Sequence, residues 1–430
     1  MITSAFIHIW GKRVGAIAWD DERGLASFEY EPSFLTNNWD LAPLQIPIFG
    51  AANQVFSFPE LRGSATFKGL PGLLADVLPD RYGNSLINAW LASHGRPADS
   101  MNPIELLCFI GKRGMGALEF EPVSPKAHHG SSKIELTSLI HIAQEILLGK
   151  QNFNADLSRD DAKALSDILK IGTSAGGARA KAVIAFNPDT QEIRSGQADA
   201  PKGFGHWLIK FDGVSDLQIG NTTGYGRVEM AYSLMAKEAQ IEMTECRLLE
   251  ENDRAHFMTK RFDREQGQEK VHIQSFCAIS HYDFTEITLF SYEQLFETMR
   301  MLLLPYTDAE QLYRRMVFNV MARNCDDHTK NFSFMMDKKG QWRLASAFDI
   351  CHAYRPGSAW VSQHSLSINS KRTDITRNDL QQVAKKMNIK KADAIIDQVH
   401  AAVSKWTAFA TQTNVNKDLT EAIAKTLWLV

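Results

Sequence analysis

The sequence is poor in cysteine and has no long apolar segment. Its five cysteines form no CxxC pair and leave an odd total, which fits a reducing compartment. No apolar run approaches the roughly 18 residues that span a bilayer, and residues 1–14 lack the apolar core and cleavage site of a signal peptide. We therefore expect a cytoplasmic protein without a membrane partner.

The chain also has little net charge. Its formal charge of -3 gives no global attraction to nucleic acid or membrane, so any surface of that kind must be local. With 430 residues, of which 44% are hydrophobic, the chain is long enough for two or three domains with a sizeable core. These numbers favour an ordinary globular protein.

The order of sequence patterns predicts an α+β protein in three parts. Three short strand-like runs open the chain, at 5–10, 14–19 and 25–30. A helical segment at 69–95, broken at Pro79 and Gly83, is followed by a helix at 103–110 that begins with Pro103 and runs into Gly111. Further helices are predicted at 160–169 and 392–407, and a strand at 181–186. The polar stretch 123–133, with Pro125 and Gly130, is typical of a linker. The predicted parts are an N-terminal subdomain at 1–122, a nucleotide-binding part at 135–262 and a helical C-terminal lobe at 263–430.

The most informative pattern is an acidic loop in the C-terminal part. Asp326 precedes Asn331 by five residues, which is the spacing of the protein-kinase catalytic loop. There the Asp accepts the proton of the substrate hydroxyl and the Asn holds magnesium. Two strand-like runs then lead to Asp349, which is placed as a second magnesium ligand. The pattern predicts phosphoryl transfer with Asp326 as the base.

Kinase-like residue types also occur upstream in the expected order. Residues 172–181 form a stretch of small residues that ends at Lys181 and suits phosphate binding, although a flexible turn explains this stretch equally well. Lys210 lies on a predicted strand, and Glu229 lies at the edge of a helix's apolar stripe, where we expect it to be partly solvated. The two match the pair that kinases use near the α- and β-phosphates. Two solvated side chains are the alternative for that pair.

Two further segments have weaker assignments. Residues 260–262, at the end of a predicted strand, occupy the place of the adenine-contacting hinge between kinase lobes, on chain order alone. The basic stretch 371–391, which includes Lys385 and Lys386, is either a solvated helix face or a local phosphate-binding surface, such as a DNA contact. The apolar stripe of the helix before the loop is assigned to the core: Tyr313, Met316, Val317, Val320 and Met321.

With these residues in place, the chain resembles the HipA family of serine/threonine kinases, the toxin halves of bacterial toxin-antitoxin pairs. The likeness covers nearly the whole length. It is carried by residues 69–76, 114–118, 172–181 and, most specifically, 326–331 with the following Phe332-Ser333. The resemblance implies a two-lobed protein-kinase-like fold with a small β-rich N-terminal subdomain and a helical C-terminal lobe.

The resemblance also implies functional roles. ATP and Mg²⁺ are the implied cofactors, with Asn331 and Asp349 as metal ligands, and Ser174 is the implied autophosphorylation site that silences the enzyme. The implied partners are a HipB-like helix-turn-helix antitoxin, operator DNA bound through that complex, and a protein substrate such as an aminoacyl-tRNA synthetase. The full set of predicted ATP-binding residues is Gly176, Gly177, Lys181, Lys210, Glu229, Lys260, Arg261, Phe262, His328, Lys330, Asn331 and Asp349.

The chain departs from ordinary protein kinases at two places. Asn324 stands two residues before Asp326 where those enzymes have His, and residues 349–351 read Asp-Ile-Cys where they have Asp-Phe-Gly. The small-residue stretch also lacks a GxGxxG pattern. The switch built on the Phe and Gly of ordinary kinases is therefore not predicted for this chain.

Two other functions compete with the kinase. In a metal-dependent phosphodiesterase, Asp326, Asp327, His328 and Asp349 bind metal directly, but Lys210 and Glu229 then have no role. A non-catalytic co-repressor would bind the antitoxin and DNA, and that role is also compatible with a silenced kinase.

Overall fold

The computed structural model describes residues 2–123, 136–147, 168–169, 171–173, 179–196, 200–214, 222–264 and 269–430. Ser174, Gly176, Gly177 and most of a helix predicted at 160–169 lie outside these ranges. The chain divides into two compact units, which we describe separately. Unit 1 comprises Met1–Leu41, Ile46–Thr223 and Leu249–Ile273, and unit 2 comprises Ala42–Gln45, Gly224–Leu248 and Gln274–Val430.

Unit 1 begins with a five-stranded antiparallel sheet. Every second residue of its first strand is fully buried, at Ala5, Ile7 and Ile9, because alternate side chains of a strand face one side of the sheet. The predicted strand at 25–30 is confirmed with its bounds. The sheet has the order β4-β3-β2-β1-β5, with the bounds Ser4–Ile9 (β1), Lys12–Asp20 (β2), Leu25–Tyr30 (β3), Val55–Phe56 (β4) and Leu118–Pro122 (β5).

The helices described in this part of the chain are short. The third helix has the predicted bounds: Pro103 stands in its first turn, and the side chain of Asn102 caps it by accepting a hydrogen bond from the Glu105 amide at 2.8 Å. A predicted helix break at Gly83 is wrong, since Gly83 lies inside a helix, where an added Cβ would come within 2.7 Å of Pro79. The helices are Gly72–Ala75 (α1), Arg81–Ser93 (α2), Pro103–Ile110 (α3) and Leu136–Leu147 (α4).

A second five-stranded sheet follows in the chain. Its strand at 181–186 is buried at every position, which explains a nearly continuous apolar sequence there, and its predicted bounds are confirmed. Across this sheet Lys181 lies opposite Lys210, and Lys210 lies opposite Phe257. The order is β7-β6-β8-β10-β9, with the bounds Lys181–Phe186 (β6), Ile193–Ser195 (β7), Gly205–Lys210 (β8), Cys246–Glu251 (β9) and Arg254–Lys260 (β10).

Unit 2 is mainly helical. The apolar stripe predicted for the helix before the acidic loop is buried to 1% exposure or less, which confirms it as core. The helix predicted at 392–407 is too long. The observed helix ends at Val403, and a separate helix begins at the buried Trp406. The helices are Tyr225–Glu238 (α5), Phe276–Ser280 (α6), Tyr292–Met301 (α7), Tyr306–Met321 (α8), Arg377–Met387 (α9), Ala392–Val403 (α10), Trp406–Gln412 (α11) and Lys417–Ala424 (α12).

A hairpin follows the acidic loop, as predicted. Its strands pair antiparallel, and Asp337 stabilises the turn between them by accepting hydrogen bonds from the amides of Lys339 and Gln341 at 2.8 and 2.9 Å. The sheet order is β11-β12-β13, with the bounds His272–Ser275 (β11), Ser333–Met336 (β12) and Trp342–Leu344 (β13). Among the described residues, no helix combines the length and the apolar character needed to cross a membrane.

Candidate active site

The acidic loop is held at both ends by regular structure of unit 2. It follows the buried helix α8, and Arg323, at φ 55°, turns the chain out of that helix. The Cys325 amide then donates to the Ala353 carbonyl at 3.0 Å, and the Ala353 amide donates to the Arg323 carbonyl at 3.0 Å. Because both anchors are backbone hydrogen bonds to a neighbouring segment, the loop has a defined path before Asp326.

Asp326, the predicted base, is partly exposed, and Asn331, a predicted metal ligand, is hydrogen-bonded to its backbone. The side chain of Asp326 is 46% exposed, so it is accessible to a substrate hydroxyl. The side-chain nitrogen of Asn331 donates to the backbone carbonyl of Asp326 at 2.6 Å. Since that bond fixes which end of the amide is nitrogen, the amide oxygen is left for another ligand.

Asp349 lies across a small pocket from this loop. The lining of the pocket includes Asn324, Asp327, Asn331 and Asp349, all within unit 2. Asp349 has a left-handed backbone at φ 51°, five residues beyond the end of β13. A carboxylate and an amide oxygen beside one pocket fit Mg²⁺, which is commonly bound through one or two carboxylates together with water and phosphate oxygens. Among the residues described, no group of three or more His, Cys, Asp or Glu side chains could hold a metal ion.

Asp327 points the opposite way from Asp326, into the protein. Its Oδ2 accepts hydrogen bonds from the Tyr292 hydroxyl at 2.8 Å and from His364 Nδ1 at 2.9 Å, and its Oδ1 accepts from the Ser365 amide at 2.8 Å. The carboxylate is fully buried. Three protein donors therefore occupy the oxygens that a direct metal-ligand role would need.

The partner of Asp327 is a charged histidine. Burial by itself lowers the pKa of His364, but the adjacent Asp327 carboxylate outweighs it and raises the pKa to about 10. The buried hydrogen-bond network also includes two asparagines. Asn319 donates to the Tyr292 hydroxyl at 2.9 Å, and Asn324 donates to Asn319 Oδ1 at 3.0 Å. Asn324, which replaces the histidine of ordinary kinases, thus supports the loop through a buried hydrogen bond.

His328 and Lys330 lie beside Asp326 on an aromatic platform. His328 Nε2 is 3.9 Å from Asp326 Oδ1, and its ring packs on Phe284 with centroids 5.2 Å apart. The Lys330 ammonium lies 4.9 Å from the centroid of the same Phe284 ring, within cation–π distance. Both residues are thereby held on the exposed side of the loop.

The predicted phosphate-binding lysines are neighbours within unit 1. Lys181 and Lys210 occupy directly opposite positions on adjacent strands, so their side chains share one face of the sheet. Both are buried, at 3% and 8% exposure, and the Lys210 ammonium lies 5.8 Å from the centroid of Phe257. Glu229, on α5 of unit 2, was expected to be partly solvated. That expectation is wrong, because Glu229 lies on the buried face of the helix at 1% exposure.

The predicted hinge residues lie beside a buried ion cluster in unit 1. Arg261 Nε and Nη2 donate to Asp263 at 2.8 and 2.5 Å, and the Arg261 amide donates to the His206 carbonyl at 2.9 Å. Arg264 Nη1 donates to the same carboxylate at 2.7 Å. The roles predicted for Lys260, Arg261 and Phe262 in ATP binding stay predictions, and the guanidinium of Arg261 is already held by Asp263.

The two lysines predicted to contact DNA are on the surface. Lys385 and Lys386 lie in the last turn of α9 and are exposed. Lys386 donates to Asn369 Oδ1 at 3.1 Å and lies 3.8 Å from Glu293. Exposure and charge are compatible with a phosphate contact, while a solvated face remains the alternative.

Sequence reasoning missed His364, Tyr292 and Asn319. No motif or fixed spacing connects them to the acidic loop, from which His364 and Tyr292 are 37 and 35 residues away in the chain, measured to Asp327. The sequence did contain one indication of this network, the second aspartate at Asp327. An aspartate next to the predicted base that turns into the protein needs buried hydrogen-bond donors.

The β-rich start and the helical end define an α+β protein, in which the acidic loop follows a buried helix. Family models match most of the chain: the HipA N-terminal domain matches residues 5–121, and the HipA-like C-terminal domain matches residues 173–406. The chain belongs to the HipA family. No curated protein is similar enough in sequence to match it.

A solved structure supports the fold. The chain is similar to one from the Shewanella oneidensis MR-1 toxin-antitoxin complex of HipA, HipB and operator DNA, with 16% identity and a TM-score of 0.68, over 98% of this chain and 94% of that chain. It is less similar to CtkA, a Helicobacter pylori proinflammatory kinase, with 13% identity and a TM-score of 0.31 over 51% and 92% of the two chains. We draw no conclusion from the second similarity.

Proposed function

We propose that the chain is an ATP-dependent serine/threonine protein kinase and the toxin of a toxin-antitoxin pair. The observation that carries the catalytic part is the half-exposed Asp326 carboxylate on the loop whose Asn331 lines one pocket with Asp349. Family membership supports the biological part, together with the HipB and operator DNA named in the similar solved complex.

In this proposal Asp326 accepts the proton of a serine or threonine hydroxyl while the hydroxyl oxygen bonds to the γ-phosphorus of ATP. The bond from that phosphorus to the bridging oxygen breaks, and ADP leaves. Asn331 and Asp349 would hold Mg²⁺, which neutralises charge on the phosphate oxygens when bound. His328 and Lys330, held beside Asp326 by Phe284, would contact ATP.

The remaining proposed roles follow from the family. Lys181, Lys210 and Glu229 would serve the nucleotide phosphates, and Ser174 would be the autophosphorylation site. A small helix-turn-helix antitoxin would bind the chain and operator DNA, with Lys385 and Lys386 adding a phosphate contact. The protein would act in the cytoplasm on a protein substrate, for which an aminoacyl-tRNA synthetase is the first candidate to test.

The occupied oxygens of Asp327 count against the phosphodiesterase, which needs that carboxylate on a metal. The co-repressor function is kept as a second role of the same chain because the similar solved structure contains an antitoxin and operator DNA. Retardation of operator DNA by the antitoxin, with and without this chain, measures that role. No added retardation would remove it.

The kinase is tested with labelled ATP and Mg²⁺. We expect the chain to label itself at Ser174, and Asp326→Asn to lower the rate at least about 100-fold, since a positioned base contributes that much or more. Asp337→Asn, in the exposed turn between β12 and β13, is the matched control and should label normally. An Asp326→Asn variant as active as the control would refute the assignment of the base.

A further inference from the structure

In addition to its backbone contacts with Ala353, the loop that carries Asp326 is held by a short segment, residues 364–365. Ser365 contributes its amide to both Asp327 Oδ1, at 2.8 Å, and the Cys325 carbonyl, at 3.3 Å. The neighbouring residue in that segment, His364, donates to Asp327 Oδ2 at 2.9 Å. The residues on both sides of Asp326 in the chain are therefore bound to the same two residues.

The charge of His364 is needed to keep Asp327 in this position. Both side chains are at most 1% exposed, and a buried carboxylate is costly unless a cation and hydrogen bonds compensate it. The other groups that face His364 are Cys325 Sγ, 3.9 Å from Nε2, and the Arg372 guanidinium, which donates to the His364 carbonyl at 3.3 Å. The imidazolium is thus the cation that contacts the Asp327 oxygens directly.

Asp327 lies at the border of the candidate metal site. Asp327 lines the pocket that also contains Asn331 and Asp349. If the inward hydrogen bonds were lost, the carboxylate would have a polar pocket to turn toward, where a divalent cation attracts it. A third protein oxygen on that cation would displace water or phosphate oxygens.

We propose that His364 is a positioning residue for phosphoryl transfer, which fixes the loop on either side of Asp326 and keeps the Asp327 oxygens bonded inward instead of to Mg²⁺. This inference rests on the proposed kinase function. It gives a role to a histidine that touches neither Asp326 nor the predicted metal ligands. The raised pKa of His364 agrees with a permanent imidazolium at this place.

The test compares steady-state kinetics of the full chain with His364→Gln, which keeps a hydrogen-bond donor and removes the charge. We expect kcat to fall about 10- to 100-fold, as when a supporting partner of a reactive group is lost, with KM for ATP close to that of the parent. The Mg²⁺ dependence of the rate should also change. His272→Gln is the matched control, because His272 is equally buried, its Nε2 lies 3.2 Å from the Leu41 carbonyl, and burial lowers its pKa to about 4.

A second variant separates positioning from simple damage to the fold. Combining Asp327→Asn with His364→Gln gives a neutral donor and acceptor in the same place, and we expect its kcat to exceed that of His364→Gln. The inference is overturned if His364→Gln, folded as judged by thermal unfolding, keeps the kcat of the parent. It is equally overturned if the double variant shows no recovery.

A parent chain without kinase activity would refute the proposed kinase function. A spectroscopic measurement then tests the role of His364 separately. In nitrogen-edited NMR spectra the ring of His364 should show the imidazolium pattern at pH 8, and Asp327→Asn should abolish it. A His364 ring that is neutral at pH 8 in the parent would refute the proposal whether or not the enzyme transfers phosphate.

Discussion

Replacement of Asp263 should strongly destabilise unit 1. One carboxylate, 1% exposed, accepts hydrogen bonds from Arg261, from Arg264 and, at 2.7 Å, from the Gly116 amide. Arg264 also donates to the carbonyls of Gly114 and Gly116, at 3.2 and 3.1 Å. The cluster therefore connects two segments of unit 1 that are about 150 residues apart in sequence.

The magnitude follows from what Asp263→Asn leaves behind. The amide oxygen can still accept the Gly116 hydrogen bond, but two buried guanidinium groups lose their counter-charge. Breaking a buried pair by removing one partner costs about 3–5 kcal/mol, because the remaining charge is uncompensated. Against a typical total stability of about 5–15 kcal/mol, this is about a fifth or more of what holds a domain together.

The measurement is urea unfolding of the full chain followed by a probe in unit 1, such as the fluorescence of a tryptophan there. Asp263→Asn should lower the midpoint, whereas Glu31→Gln should not, since Glu31 and Arg13 form a largely exposed pair at 3.6 Å. Equal midpoints for Asp263→Asn and Glu31→Gln would show that the cluster does not stabilise the fold and refute the reasoning.

The pH dependence gives the same prediction an internal check. Burial by itself raises the pKa of Asp263, but Arg261 and Arg264 outweigh it and hold the pKa well below its usual range. The stabilisation is therefore fully present above the ordinary aspartate pKa of about 4 and is lost as the pH falls below it. The difference between parent and Asp263→Asn should stay constant from neutral pH to about pH 5 and shrink only below that.

Three further predictions concern unit 2. The pKa of His364 is raised from 6.5 to about 10, so protonated His364 stabilises the folded state by up to about 5 kcal/mol. This stabilisation is complete below pH 6.5 and is lost as the pH rises toward 10. The unfolding free energy of the parent, relative to that of His364→Gln, should therefore fall between pH 6.5 and 10. Asp349→Asn and Asn331→Ala should each raise the Mg²⁺ concentration for half-maximal phosphoryl transfer by more than about tenfold, because about tenfold is already lost when a residue that only supports a metal ligand is replaced. An unchanged Mg²⁺ titration would contradict the ligand assignment. Replacing Lys385 and Lys386 with alanine should lower the salt slope of operator binding by the antitoxin complex by about 1 per lysine, and an unchanged slope would favour the solvated face.

Interactions between residues close in sequence made much of the secondary structure predictable. Strand-like composition predicted β3 and β6 with their observed bounds, and Pro103 at a helix start with Gly111 after its end predicted α3. The apolar stripe of α8 and the turn at Asp337 were equally local. These features depend on side chains a few residues apart, so their outcome did not require knowledge of the rest of the chain.

The sequence by itself determined the residue types and the spacing of the acidic loop: Asp326 and Asn331 five residues apart, with Asp349 after a predicted hairpin. Only the tertiary structure decided which aspartate faces outward, that Glu229 is buried, and that His364 binds Asp327 across 37 residues. A buried charge selects its partner through the distance between atoms after the chain has folded, and separation along the sequence carries no information about that distance.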